Sequence, residues 1–491
     1  MSREAIDQAA DQTVQGMFGP LEPGRTPAAV ATGGVPRVQC PDRQQAVMGW
    51  STLDERLPED HPARLVWAYV ESADLASLYQ KIKAVEGRAG RRPIDPKILL
   101  SLWLYATLDA VGSAREIDRL CGQHDAYRWI CGGVPVNYHS ISDFRTEHAE
   151  VLDQLLTDSV AALVHEGLVT LNRVAQDGMR VRASAGADSF RRRPTLEECL
   201  AEAQEQVGKL REELDADPAA ASKRQQAARQ RAARERTERL GRALAEVGEL
   251  EKKRQAQAKQ APAQDGQVKN ESNPDGGKGE DDDPGQDAGE GKARKKQPSE
   301  PRASTTDPDA HVMKMADGGF RPAFNIQYAT DTATQIITGV DAGKVGSDQG
   351  QMGPMVQQHD DRYGQRPEEV LVDGGFAKKA DIEQVSGVGV TVYAPVQKPR
   401  NPEQDPHARR PGDSEVIAQW RERMGTDQAK AICKERASTA ECVNAAARNR
   451  GMHQFLVRGL EKVKAVALLF ALAHNLVRAA VLRAQRAVTA G

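Results

Sequence analysis

Residues 368–376 read EEVLVDGGF, a short apolar run over Val370, Leu371 and Val372 that stops at Asp373 and two glycines. A run of this length, bounded by charge on one side and Gly-Gly on the other, predicts a buried strand ending in a loop. The flanking sequence extends the pattern. PAFNIQYATD (322–331) and TQIITGVDAGK (334–344) read as two more strands with a turn at Asp331–Ala333. Residues 349–363 and Lys378–Val385 carry a helical period, and GVTVYAP (389–395) is another strand. Strands followed by helices mark an α/β layer. Residues 414–448 and 452–487 read as helical to the end.

Further upstream, LVTLNRVAQDGMRVRAS (168–184) alternates apolar and polar residues and is rich in β-branched ones. It predicts a strand, with Asp177-Gly178 as its sharp end or a hairpin turn. Before it, His61–Glu71, Asp95–Asp109, Ala114–Cys121 and Ser142–His165 have helical spacing, and Ser140 with Asp143 resembles a capping box opening the last. The short middle helices carry Arg115, Arg119, Arg128 and Arg145. That pattern suits a helical DNA-docking domain, against the plainer reading of a bundle with solvated arginines.

Between the strand at 168–184 and the strands after 304 lies a different kind of sequence. Leu196, Leu200, Ala203, Val207, Leu210 and Leu214 step by four and three, a heptad seam. Pro218 stops that helix. A second, over about 219–256, carries Leu240, Leu244, Val247 and Leu250, so an antiparallel hairpin is expected. Its first half holds eight basic residues from Lys223 to Arg242 against Glu235 and Glu238. They form a solvated face or a path for phosphates. Residues 257–303, with GEDDD and then KARKK, and the Pro/Gly/Ala-rich residues 1–44 are expected to be disordered.

Composition narrows the function. The chain has 491 residues, enough for two to four units at roughly 100–200 residues each. Lys and Arg total 67 against 70 Asp and Glu, so net charge gives no nucleic-acid footprint and charge is read locally. Aromatics are 4%, which argues against a base-stacking RNA binder. The six cysteines form no CxxC pair, which fits a reducing cytosol and excludes a zinc ribbon. No secretory signal is visible, and the most apolar stretch, Ala465–Ala473, reads as too short to span a membrane.

The motifs of P-loop ATPases, zinc proteases, α/β-hydrolases and dinucleotide-binding enzymes are missing. What remains is a pair of aspartates after apolar strands, Asp177 and Asp373, and Glu441 inside the helical stretch AICKERASTAECVNAAARNRG. Strand-end carboxylates sit where an α/β sheet presents its active edge. Crowded carboxylates repel by about 4 kcal/mol per pair at 4 Å and an effective dielectric near 20. They coexist if cations neutralise them, and oxygen-only ligands favour Mg²⁺ or Mn²⁺. Asp331, Asp341 and Asp348 compete for the same role, and spacing leaves that choice open.

A series of blocks in fixed order carries a family resemblance: GWSTLDERLPEDHPAR, RRPIDPKILLSLWLYA, ISDFR, VAQDGMRVRAS, STTDPDAHVMK, FNIQYATD, VLVDGGF, KERASTAE and FLVRGLEKVKAVALLFALAHNL. From about Val47 to Arg483, low-complexity stretch aside, the chain resembles a bacterial insertion-sequence transposase of the DDE type. The group is the one whose RNase H-like core is interrupted by a large insertion. The resemblance implies an α/β fold: an RNase H-like mixed-sheet core over 168–186 and 304–487. An all-α DNA-binding domain over 45–167 precedes it, after a disordered arm at 1–44. A coiled-coil-like helical insertion at 187–256 and a disordered linker at 257–303 interrupt it.

By the same resemblance Asp177, Asp373 and Glu441 take the three acidic, metal-holding positions, with Mg²⁺ or Mn²⁺ as cofactor. The implied chemistry is two-metal cutting and joining of DNA ends: hydrolysis, then strand transfer by a 3′-OH. Implied partners are terminal inverted repeats and target DNA, met by a homo-oligomer, a dimer on DNA, in a bacterial cytoplasm near the nucleoid. The family's glutamate block often reads Tyr-x2-Arg-x4-Glu-x6-Lys. Here Cys433 stands at the Tyr, Arg436 at the Arg and Arg448 at the Lys, a positive charge two turns beyond Glu441 that can hold a phosphate. Phe376 stands where a Tyr often follows the second aspartate, and Asn444-Ala445 replaces a common Phe-Gly. Arg180 and Arg182 share a strand face and either touch phosphate or merely flank the strand. With Arg115 and Arg119 they complete the DNA-contact candidates. His311, His453 and His474 receive no ligand role. A DNA-binding descendant without catalysis and a structure-specific nuclease are the rival readings.

Overall fold

The computed structural model describes residues 15–16, 19–20, 50–82, 92–216, 223–260, 300–399 and 401–490. The expected arm at 1–44, the stop at Pro218 and nearly all of the linker at 257–303 lie outside the described residues. Within the unit Met1–Thr52, the described piece is an antiparallel pairing of Gln15–Gly16 with Gly19–Pro20. Everything else concerns the unit Leu53–Gly491.

Six strands form one mixed sheet: β1 (Arg173–Arg182), β2 (His311–Lys314), β3 (Phe320–Asp331), β4 (Ile337–Gly343), β5 (Glu369–Leu371) and β6 (Thr391–Tyr393). The order is β6-β5-β1-β3, and β2 and β4 share the far edge of β3. β6–β5 and β5–β1 are parallel; the pairs involving β3 are antiparallel. The chain between β4 and β5 crosses over through the helix Met352–Tyr363, and between β5 and β6 through Lys379–Gly387, as parallel pairing demands.

The strand β1 differs from expectation. Asp177-Gly178 neither ends it nor turns; both pair in mid-strand, opposite Tyr328 and Gln327 of β3. A mid-strand glycine commonly marks close approach by another group. Here a Cβ on Gly178 would fall 2.1 Å from Asp348 Oδ1 and 2.5 Å from Gln327 Nε2.

Alternation divides the sheet into two faces. Met179, Val181, Phe324, Ile326 and Tyr328 point to one core, shared with the long helix Leu460–Ala490 and with the N-terminal helices. Val370, Leu371, Phe376, Ile382 and Val392 belong to a second core with Ile417, Trp420 and Ile432, which wraps both faces of the sheet's parallel edge. Residues Leu468 to Leu476 of the long helix are buried on every side, the mark of a helix inside a core. By length and composition this helix is long and apolar enough to cross a membrane, so the expectation that the apolar stretch is too short does not hold; in the structure it packs against helices and sheet. It also starts at Leu460, later than position 452, where the helical reading began.

The N-terminal helices are Pro62–Ser72, Ala76–Gln80, Pro96–Leu108, Ala114–Gln123, Asp125–Cys131, Tyr138–Glu147 and Ala149–His165. Proline at the first turn and a capping acceptor, His61 or Asp95, start the first and third. The expected single helix over 142–165 is two, broken at His148, and its cap is Asn137, whose Oδ1 accepts from Ser140 N at 3.0 Å.

Phe190–Arg191 pairs with Ala303–Ser304, so the insertion leaves and rejoins the core at one place. Its helices Arg193–Ala216 and Lys223–Gln260 run antiparallel: Arg193 bonds Glu251, and Arg236 bonds Gln206. Leu196, Ala203, Leu240 and Val247 form their own core. Glu246 ties the hairpin to the sheet by accepting from Lys344 Nζ and pairing with His311 Nε2, both at 2.9 Å.

Candidate active site

Asp177 lies in the middle of β1, on the face that carries Met179 and Val181. Asp373 follows β5, the parallel neighbour of β1, and its Oδ1 accepts from Gly375 N at 2.7 Å. Glu441 is the last residue of a π-turn, Ala437–Glu441, set between the helices Asp427–Arg436 and Cys442–Asn449. Such one-turn π insertions re-aim side chains and are frequent at functional sites. Arg173 at the base of β1 fixes this helix to the sheet. It bonds Glu369 of β5 and reaches Glu435 Oε1 and Oε2 at 2.9 and 2.8 Å.

The glutamate helix reaches β1 through two side chains. Arg436 donates to Glu441 Oε1 at 3.0 Å and stands 3.7 Å from Asp177 Oδ2. Asn444 donates Nδ2 to Asp177 Oδ2 at 2.9 Å. Asp177 is thus brought together with the glutamate block across the whole insertion. Burial pushes its carboxyl up to about 6; the Arg436 guanidinium opposes this, and Asp373 and Asp348 reinforce it. A carboxylate so placed binds a cation more readily than it keeps a bare charge.

Asp348 joins the same neighbourhood. Asn325 Nδ2 and Gln327 Nε2 hold its Oδ1 at 2.8 and 2.7 Å. A Cβ on Gly375 would lie 2.9 Å from Asp373 Oδ1 and 3.7 Å from Asp348 Oδ2. The other two competing aspartates are elsewhere: Asp331 accepts from Thr334 in the β3–β4 turn, and Asp341 stands 4.0 Å from Lys464.

As arranged, no three Asp, Glu, His or Cys side chains among the described residues stand close enough to hold a metal ion. The guanidinium of Arg436 lies between Asp177 and Glu441, where a shared cation would neutralise both. The donor chemistry nonetheless fits a hard divalent ion: the donors are oxygens, and the buried Asn325 Oδ1 and Asn444 Oδ1 have no hydrogen-bond partner.

The arginine candidates separate by what they touch. Arg180 is a clamp, donating to the carbonyls of Lys314 at 2.8 Å and Gly346 at 2.6 Å. Arg182 and Arg448 are exposed, and no side-chain hydrogen bond or ion pair engages them among the described residues. Arg119 is tied to Glu116 and Gln123, and Arg115 lies over the Tyr138 ring at 5.3 Å. Arg145 is buried, 4.2 Å over the Trp103 ring, with Nη1 on Gly112 O; it serves the helical core, not a DNA surface.

Sequence reading gave Arg436 a phosphate role and Asn444 none. Asn444, three residues after Glu441, carried a signal, since residues three apart on a helix share a face; Arg436, five before, reaches Glu441 across the π-turn Ala437–Glu441, which the sequence pattern did not announce.

Two family models match parts of the chain. Residues 51–147 match a family described as a transposase domain, and residues 400–480 match one described as a transposase DDE domain. The second span holds Arg436, Glu441 and Asn444; Asp177 and Asp373 lie outside both. No curated protein and no solved structure matches the chain.

Proposed function

From the premise that the chain is an insertion-sequence transposase of the DDE type, we propose that it cuts and joins the ends of its element by two-metal phosphoryl transfer. The core, 168–186 with 304–487, is read as RNase H-like. Supporting this are the strand order β6-β5-β1-β3 with β4 outermost, and the switch from antiparallel to parallel pairing at β1. The observation that carries the proposal is the approach of Arg436 and Asn444 to Asp177, which sets the glutamate helix beside the aspartates.

Asp177, Asp373 and Glu441 are the residues that would hold Mg²⁺ or Mn²⁺. Such ions, when bound, supply positive charge to the attacking and leaving oxygens of an in-line displacement. In the first step water displaces the 3′ oxygen at the element's end, freeing a 3′-OH. In the second, that hydroxyl attacks a target phosphodiester and displaces its 3′ oxygen. No protein–DNA covalent bond is required. Arg436, which stands between Asp177 and Glu441, would be free to turn to phosphate once those carboxylates hold a cation. Arg448, exposed two turns beyond Glu441, and Arg182, exposed at the far end of β1, follow the DNA backbone, and the helical region 45–167, with Arg115 and Arg119, docks the element's ends. A dimer on DNA would present both ends, in a bacterial cytoplasm at the nucleoid.

The test uses end DNA taken from the terminal inverted repeats flanking the gene, with Mg²⁺, in a cleavage-and-joining assay beside a gel shift. Wild type should nick and join. Asp373→Asn keeps the side chain's shape but loses its charge, so it should bind end DNA and fail to cut. Equal cleavage by Asp373→Asn and wild type would falsify the metal role. Binding without cleavage by wild type would leave a DNA-binding descendant, and cleavage without joining would leave a nuclease.

A further inference from the structure

Asp348 is an aspartate near the site that the three acids Asp177, Asp373 and Glu441 leave out, and its two oxygens are treated differently. Oδ1 is fixed by two side-chain amides, Asn325 Nδ2 at 2.8 Å and Gln327 Nε2 at 2.7 Å. Oδ2 accepts no hydrogen bond among the described residues, and the point where a Gly375 side chain would begin lies 3.7 Å from it and 2.9 Å from Asp373 Oδ1. One carboxylate oxygen anchored and the other left without a hydrogen bond is how a metal ligand is held by its supporting shell.

Two further observations point to a ligand. Gly178 lacks the Cβ that would crowd Asp348 Oδ1, a contact of only 2.1 Å, and Gly375 lacks the one that would press on Asp373 Oδ1 at 2.9 Å. Asn325 is 2% exposed, and its Oδ1 has no partner. That oxygen lies 2.9 Å from the Gly178 Cβ position that Asp348 Oδ1 also crowds. The same amide donates Nδ2 to Asp348, so its buried oxygen is left as an acceptor without a donor next to that carboxylate.

We propose that Asp348 is a fourth carboxylate of the divalent-cation site, donating Oδ2 beside Asp373, with Asn325 and Gln327 as positioning residues. This rests on the cation-holding reading of Asp373 given above. Asp348 and Asp373 would then share one cation of a two-ion site. Glu441 and Asp177 serve the other.

The test is Mn²⁺ binding to the full chain without DNA, followed by electron paramagnetic resonance. Asp348→Asn should weaken Mn²⁺ binding about 10-fold or more, as Asp373→Asn does, with the metal-free unfolding midpoint unchanged. Wild-type binding by Asp348→Asn beside weak binding by Asp373→Asn would overturn the fourth ligand and leave the three-acid reading standing. Wild-type binding by both variants would overturn the cation reading itself. A measurement on unmodified protein guards against a variant that fails to fold. Fe²⁺ with ascorbate and peroxide cuts polypeptide beside the bound ion, and cuts are expected both near 373–375 and near 346–349. Cuts near 373–375 alone would equally overturn the proposal.

Discussion

Asn444 donates its Nδ2 hydrogen to Asp177 Oδ2 at 2.9 Å, joining the helix after Glu441 to the middle of the central strand β1. Asn444 is 5% exposed, so its amide cannot be replaced by bulk water. Asn444→Ala removes a donor from a buried carboxylate and should cost about 1.5–3 kcal/mol. DNA cleavage should fall further than stability alone explains, since the substitution also frees Asp177 from its fixed orientation. Urea unfolding and end-cleavage rates on the same preparation check both parts; unchanged cleavage would show that the bond only packs the helix.

Arg436 balances Asp177 and Glu441, and its side chain is only 18% exposed. Arg436→Gln leaves both carboxylates without their counter-ion. In metal-free buffer the loss should be about 2 kcal/mol, less than for a fully buried pair because Glu441 is exposed. Added Mg²⁺ should then raise the unfolding midpoint of the variant more than that of wild type, as the ion takes the vacated place. Equal Mg²⁺ shifts in the two proteins would sink the competition between guanidinium and cation.

Gly178 has no room for a side chain. The methyl of Gly178→Ala would meet Asp348 Oδ1 at 2.1 Å and Gln327 Nε2 at 2.5 Å, and the amides holding that carboxylate must give way. Overpacking of this kind costs about 1–3 kcal/mol. Chemical denaturation measures it; a variant as stable as wild type would mean that Asp348 moves freely.

Two buried histidines make the fold acid-sensitive. His359 donates Nδ1 to Met355 O at 2.9 Å and meets the Thr338 hydroxyl at 2.8 Å through Nε2. His474 donates Nε2 to Gln335 O at 2.9 Å. Burial lowers both to about 4, with Arg362 adding to the first and Arg450 and Arg478 to the second. Above about pH 6.5 both are neutral whether folded or unfolded. As pH falls from there to about 4, the unfolded chain takes protons that the folded one refuses, and stability drops by about 3 kcal/mol per histidine. His474→Gln should flatten that decline between pH 7 and pH 4.5 in denaturation curves; an unchanged slope would refute the assignment.

The sequence by itself determined the kinds of element and the end of β5. An apolar run closed by Asp-Gly-Gly is a strand and its exit whatever lies beyond it, because backbone propensity and burial pattern act over a few residues. The same local rules started the helices after His61 and Asp95. They misplaced Asp177-Gly178, which looks like a turn in isolation, because Gly178 is held in mid-strand by pairing with Gln327 and by the approach of Asp348. Family resemblance chose the three acids, but their surroundings came only from tertiary structure. That Arg436 faces Asp177, that Asn444 bonds it, and that Asp348 closes on Gly178 all depend on register between β1 and β3 and on a π-turn in the glutamate helix. Register is fixed by contacts between segments on either side of the insertion, and a slip of one residue would turn every side chain of β1 to the other face.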